Sequence, residues 1–173
     1  MCAFLCSWEK SRAESDQIAM MADPIPTVHA SAVLAGARAV LIRGPAGAGK
    51  SQLALALIQA ADAGLLRFAR LVGDDRVHLE AHHGRLLVRP AAALAGLIEV
   101  RGLGIRRLDH EPMAVVGLVV DLAAEDAERL PAASETVLLG VPLRRLAVAP
   151  GADALAPVLA LLRSPQGDIK PPS

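Results

Sequence analysis

The stretch Ala39-Val40-Leu41-Ile42-Arg43-Gly44-Pro45-Ala46-Gly47-Ala48-Gly49-Lys50-Ser51-Gln52-Leu53 decides the fold class. Its first part is apolar and reads as a strand from about Arg38 to Arg43. After Gly49 the period changes to that of a helix, with Leu53, Ala54, Leu57, Ile58 and Ala61 on one face and Gly64 as its terminator. Between the two, Gly44 to Ser51 satisfies G-x-x-x-x-G-K-[ST] in full. The glycines let backbone N–H groups turn inward around an anion, and the first helical turn adds unpaired donors and the positive end of its dipole. Lys50 is then positioned to reach the β- and γ-phosphates, and the Ser51 hydroxyl to ligate Mg²⁺. The expected nucleotide site is therefore Gly44, Pro45, Ala46, Gly47, Ala48, Gly49, Lys50 and Ser51, with ATP and Mg²⁺ as cofactors. A Gly-rich strand-to-helix turn that binds nothing would have to meet every fixed position, in the right context, by chance.

Around this loop the chain has the size of one domain, 173 residues. Lys plus Arg is 18 and Asp plus Glu is 18, so the net charge is zero, which argues against nucleic-acid binding by bulk positive charge. With one Trp, two Phe and no Tyr there are no aromatic platforms for stacking bases, and the core has to be packed from Ala, Val, Leu and Ile. Mean hydropathy is high at +0.41. Charges at Lys50, Asp62, Glu99, Arg101 and Asp121 nonetheless interrupt the apolar runs well short of a membrane span, so a soluble protein is expected. Cys2 and Cys6 are too few for a disulfide framework or a four-ligand zinc site, and the first residues lack the basic start and full apolar core of a signal peptide. A cytoplasmic setting follows as the expectation.

Thr27 to Ala35 reads as a strand, joined through a Gly36 turn to Arg38–Arg43 as a hairpin. A buried strand is expected at Phe68–Gly73, a hairpin of Val77–Ala81 and Arg85–Val88 through His82, His83 and Gly84, and strands at Leu97–Val100, Met113–Asp121 and Leu143–Val148. A helix around Ala152–Arg163 closes the pattern. Strands, hairpins and helices in this order imply an α/β, P-loop NTPase-like domain on a mixed sheet, over residues 24–163. Residues 1–23, with their internal pair Met20 and Met21, read as a disordered extension or the product of an upstream start codon, and 164–173 as a disordered tail.

Asp74 and Asp75 close the strand after the helix, where a carboxylate can serve as metal ligand or general base. If the strand ran through both, their side chains would point to opposite faces and one would enter the site. In Ile98-Glu99-Val100-Arg101-Gly102-Leu103-Gly104-Ile105, alternation puts Glu99 and Arg101 on one face; a strand-end salt bridge is the bland alternative. His29 reads by default as a core or edge histidine, Arg129 as solvated, and His78, His82, His83 and His110 as surface and turn residues without metal-ligand spacing.

Several separated blocks resemble the catalytic domain of the HPr kinase/phosphorylase family, over roughly Pro24 to Arg163. Thr27-Val28-His29-Ala30 resembles its histidine-containing strand, with His29 lying 21 residues before Lys50. Leu71-Val72-Gly73-Asp74-Asp75 resembles its acidic strand end, and Ile98 to Ile105 resembles its signature segment very closely. The resemblance implies ATP-dependent phosphorylation of a serine on HPr, the phosphocarrier of the sugar phosphotransferase system. It implies that Asp75 takes the proton of the attacking hydroxyl, that His29 orients that exchange, that Glu99 joins Ser51 at Mg²⁺, and that Arg129 is the catalytic arginine. It also implies a homo-oligomer, a hexamer; the expectation of no nucleic-acid or membrane partner rests on the composition and the interrupted apolar runs instead. A short form without the N-terminal domain of full-length members is the expectation, and the chain departs from the family in having Ala149-Pro150-Gly151-Ala152 where many members carry an arginine-rich segment linked to the reverse, phosphorylase reaction. Two other readings keep the loop: a kinase of small molecules, which would need an arginine-rich lid, and an ATP-sensing module that transfers nothing.

Overall fold

The structure is a computed structural model that describes residues 26–128 and 135–164. Its main sheet has nine strands: β1 (Thr27–Val28), β2 (Ser31–Ala35), β3 (Arg38–Arg43), β4 (Ala69–Gly73), β5 (Val77–His82), β6 (Arg85–Pro90), β9 (Ala114–Leu122), β10 (Glu135–Leu138) and β11 (Val141–Val148). A separate hairpin joins β7 (Leu97–Val100) to β8 (Gly104–Arg107). Two helices complete the domain, α1 (Lys50–Asp62) and α2 (Leu155–Arg163).

The sheet is mixed, as its hairpins require. The order runs β1-β5-β6-β9-β3-β2-β4, and β9 also pairs with β11. β3 and β11 both run parallel to β9, so the ends of three strands converge where β3 enters the glycine-rich loop. Alternation along β3 explains the two layers. Val40 and Ile42 face α1 together with Val33, Leu118 and Val120, while Ala39 and Leu41 face the opposite core with Val72, Leu86 and Val88. Buried hydrophobic side chains are all Ala, Val, Leu or Ile among the described residues, in keeping with the near absence of aromatics.

The expected strand Thr27–Ala35 is two strands. β1 pairs with β5, whereas β2 lies between β3 and β4, and His29 and Ala30 form the step between these pairings. The expected Phe68 start is trimmed to Ala69, because Phe68 lies at the surface as the chain arrives from α1. α1 buries Leu53, Ala54, Leu57 and Ala60, with Ala60 in the place expected of Ala61. It ends in a Schellman arrangement: Gly64 at φ +75° lets Leu65 N–H reach Ala60 O at 2.8 Å and Gly64 N–H reach Ala61 O at 2.9 Å. α2 begins at Leu155 rather than Ala152, after Asp153 Oδ1 accepts from Leu155 N–H at 3.0 Å. The expected extension 1–23, Arg129 and residues 165–173 of the tail lie outside the described residues.

Candidate active site

Gly44 leaves β3 with φ +146°, and a Cβ there would stand 2.8 Å from Leu122 O, so the loop sits directly on the end of β9. Gly49, in the left-handed region at φ +94°, is the N-cap of α1 and supplies no side-chain cap. The donors at the start of the helix are therefore left for a ligand. Lys50 is almost fully buried, and its Nζ donates to Gly44 O at 3.0 Å and to Pro45 O at 2.9 Å, across the mouth of the same loop. Burial pushes its ammonium below the ordinary lysine value, while the charges of Asp75 and Asp74 act in the opposite direction.

Asp74 is the second element. It is 3 % exposed, its Oδ1 accepts from Ser51 Oγ at 2.9 Å and from Ser31 Oγ at 2.5 Å, and its Oδ2 accepts from Glu99 N–H at 3.2 Å. A buried carboxylate is tolerable because three donors replace its water. Ser51 and Asp74 together offer hard oxygen donors of the kind Mg²⁺ uses, and that ion needs only one or two protein ligands beside phosphate and water. No group of three or more His, Cys, Asp or Glu poised for a metal occurs among the described residues.

Asp75 departs from the alternation expected of a continued strand. β4 ends at Gly73, Asp75 adopts φ +64°, and its side chain turns outward to His29, with Nε2 to Oδ1 at 3.1 Å. Both groups are accessible, with side chains 42 % and 62 % exposed. The step between β1 and β2 is what presents His29 there. Both aspartates thus lie beside the loop, one inside and one at its rim, where alternation along a single strand would place only one.

His29, Lys50, Ser51, Asp74 and Asp75 are brought together. Glu99 joins through its backbone N–H, with its side chain exposed, and no Glu99–Arg101 ion pair exists among the described residues. Arg129 lies outside them. His78 is only half-buried, but its Nδ1 is buried without a partner, so it is not the simple surface residue expected.

Two features escape sequence reading. Ser31 is one. The other is a charge network under the loop: Asp121 accepts from Arg43 Nε and from Arg43 Nη2, each at 2.7 Å, and from Arg145 Nε at 2.6 Å, while Arg145 also grips Asp126 at 2.6 and 2.9 Å. Burial raises the Asp121 pKa, but the bonds to both arginines outweigh it and hold the carboxyl below its ordinary value. Arg43 and Asp121 are register partners on parallel β3 and β9, and both end runs of apolar residues, a signal that could have flagged them.

Comparison with known proteins bears on this geometry. A family model described as the HPr serine kinase C-terminal domain matches residues 22–111, about half of the chain. The chain belongs to this family. Among curated members of the HPr kinase family, the HPr kinase/phosphorylase of Bordetella pertussis is 36% identical over 156 residues, covering 82% of this chain and 48% of the relative. That of Clostridium beijerinckii is 39% identical over 82 residues, 47% of this chain and 25% of the relative. The chain thus spans about half or less of the length of these relatives. A solved structure described as the Hpr(Ser) kinase/phosphatase from Coxiella burnetii matches with a TM-score of 0.65 and 26% identity, covering 80% of this chain and 94% of that one. The HPr kinase fold, a mixed sheet with few helices, is therefore the fold of this chain. No helix among the described residues is long and apolar enough to cross a membrane.

Proposed function

We propose that this chain is an ATP-dependent protein-serine kinase acting on an HPr-like phosphocarrier, in the cytoplasm, with Mg²⁺ as its metal. The observation that carries the proposal is the His29–Asp75 contact at 3.1 Å, at the rim of a loop whose Lys50 experiences the charge of both Asp75 and Asp74. An exposed carboxylate beside a glycine-rich, phosphate-binding type of loop suits a macromolecular acceptor, whose hydroxyl must be delivered from outside.

In this proposal the loop amides and Lys50 hold the phosphates, and Ser51, with Asp74 or Glu99 nearby, holds the Mg²⁺ that neutralises them. Asp75 accepts the proton of the serine hydroxyl and directs the oxygen toward the γ-phosphorus. Because phosphoryl transfer is loose, positioning of the acceptor hydroxyl outweighs the basicity of the carboxylate. His29, with Nε2 3.1 Å from Asp75 Oδ1, restrains the orientation of that carboxylate. Arg129 contributes charge stabilisation at the transferring group, a contact of the kind worth about 10³ to 10⁵ in rate. The relatives include enzymes named HPr kinase/phosphorylase; because Ala149-Pro150-Gly151-Ala152 stands where the family resemblance has an arginine-rich segment, the proposal covers the kinase direction and does not extend to the phosphorylase one.

Incubation with γ-labelled ATP and purified HPr, followed by phosphosite mapping, tests this. Label on an HPr serine is expected. Label on a small molecule would make it a metabolite kinase, and ATP binding without transfer would make it a nucleotide-controlled binding module.

A further inference from the structure

We propose that Arg145 is a positioning residue for the phosphate loop: acting through Asp121 and Arg43, it holds the root of the loop on the end of β9. The inference rests on the loop being a nucleotide site, as above, and goes beyond it in tying nucleotide affinity to a side chain of β11 outside the motif. Arg43 is the last residue of β3, followed at once by Gly44, and its register partner is Asp121. The next residue of β9, Leu122, has the carbonyl on which Gly44 sits. The Arg43–Asp121 pair therefore joins the two strands at the point where the loop departs. Alternation puts Arg43 on the face of Ala39 and Leu41, Asp121 on that of Val119, and Arg145 on that of Leu143, so all three lie on the side of the sheet opposite α1. The loop, which runs into α1, is held from behind.

The clamp has a defined order. Two bonds of 2.7 Å run from Arg43 Nε and Nη2 to Asp121 Oδ1 and Oδ2, the paired geometry that fixes direction as well as distance. Arg145 Nε adds a third bond at 2.6 Å to Oδ2, and Nη1 and Nη2 of the same guanidinium grip Asp126 at 2.6 and 2.9 Å. One planar group thus spans two carboxylates, and Asp126 fixes the plane from which Asp121 is held. The Asp121 side chain is 15 % exposed, so little water is at hand to replace a lost donor. Without Arg145, Asp121 keeps Arg43 but is free to turn with it, and the strand ends at Gly44 loosen. ATP must then order the loop as it binds, which lowers affinity. Among the described residues, none of the bonds of Arg43, Asp121 or Arg145 runs to Lys50, Ser51, Asp74 or Asp75, so the effect on nucleotide is one of position.

The test is calorimetric titration of ATP with Mg²⁺ into the full chain for wild type, Arg145→Gln, Asp121→Asn, the double variant and Val158→Ala, with thermal midpoints measured on the same samples. Val158 is fully buried on α2, in the core on the α1 side of the sheet, and its truncation lowers stability through core packing alone. Arg145→Gln is expected to weaken ATP binding about tenfold and Asp121→Asn by a similar factor, with the double variant no weaker than the poorer single one. Val158→Ala is expected to lower the midpoint and keep ATP affinity within about twofold. Asp126→Asn, at a side chain 64 % exposed, serves if Arg145→Gln does not fold, with a loss of about threefold expected. Unchanged affinity in Arg145→Gln, or in Asp126→Asn where that variant takes its place, would overturn the role of Arg145 and leave the nucleotide site standing. Losses that add in the double variant, or an equal loss in Val158→Ala, would do the same. Wild type that binds no ATP would overturn the nucleotide site, and Arg145's role with it.

Discussion

Asp74 and Asp75 are consecutive in the chain and occupy opposite environments: the first is buried under Ser31, Ser51 and the Glu99 N–H, the second is exposed against His29. The left-handed backbone at Asp75 makes this possible, since it ends the strand and swings the second carboxylate outward. A non-glycine residue held there is sparsely populated in general and clusters at functional sites. In the proposed function the inner aspartate organises the loop and metal and the outer one meets the acceptor hydroxyl.

Lys50→Ala should fold, because the side chain's bonds run only to loop carbonyls. Its loss removes a lysine aimed across the loop mouth, so phosphoryl transfer should drop by about 10² to 10³ or more. Circular dichroism and thermal unfolding check the fold, and a transfer assay checks the rate. Unchanged turnover would remove the loop from the chemistry.

Gly44→Ala should be destabilising as well as inactivating. The added methyl would meet Leu122 O at 2.8 Å and force a residue at φ +146°, so the loop must lift off β9. A loss of about 1 to 3 kcal/mol is expected in denaturant unfolding, together with weaker ATP binding. Gly47→Ala provides the contrast: its Cβ meets nothing within 4 Å, so only the backbone strain at φ +79° remains.

Asp121 gives the network a defined pH signature. Its folded pKa is depressed, so its contribution to stability is complete above the unfolded value of about 3.9 and is lost as the pH falls through the lower folded value. Asp121→Asn should therefore cost about 2 kcal/mol at pH 7 and show a flatter acid limb when thermal midpoints are followed from pH 7 to pH 3. Profiles that run parallel down to pH 3 would show that Arg43 and Arg145 do not act through this carboxylate.

The glycine-rich loop, α1 and the β2–β3 hairpin were legible in the sequence because each carries a local signal: fixed motif positions, a 3.6-residue period, a glycine turn. β8 and β10 were not. All four residues of β8 are exposed, so no apolar alternation marks them, and β10 has two half-buried positions in a short strand. The break at His29 was hidden for another reason, since Thr27 to Ala35 is continuous in composition and is split only by its change of partner strands. The acidic pair was found, but its division of labour depended on a single backbone dihedral that alternation cannot anticipate. Ser31, 43 residues from Asp74, and Arg43, 78 residues from Asp121, meet only through sheet register.

The most direct measurement compares wild type, Asp75→Asn and Asp74→Asn in single-turnover transfer from ATP to HPr, with ATP affinity determined on the same samples. Asp75→Asn should retain ATP affinity within about threefold and lose transfer by about 10² to 10⁴, with the label of the wild-type reaction on an HPr serine. Full transfer by Asp75→Asn, or a wild type that binds ATP and leaves HPr unlabelled, would contradict the assignment of this outward-facing carboxylate as the group that activates the acceptor.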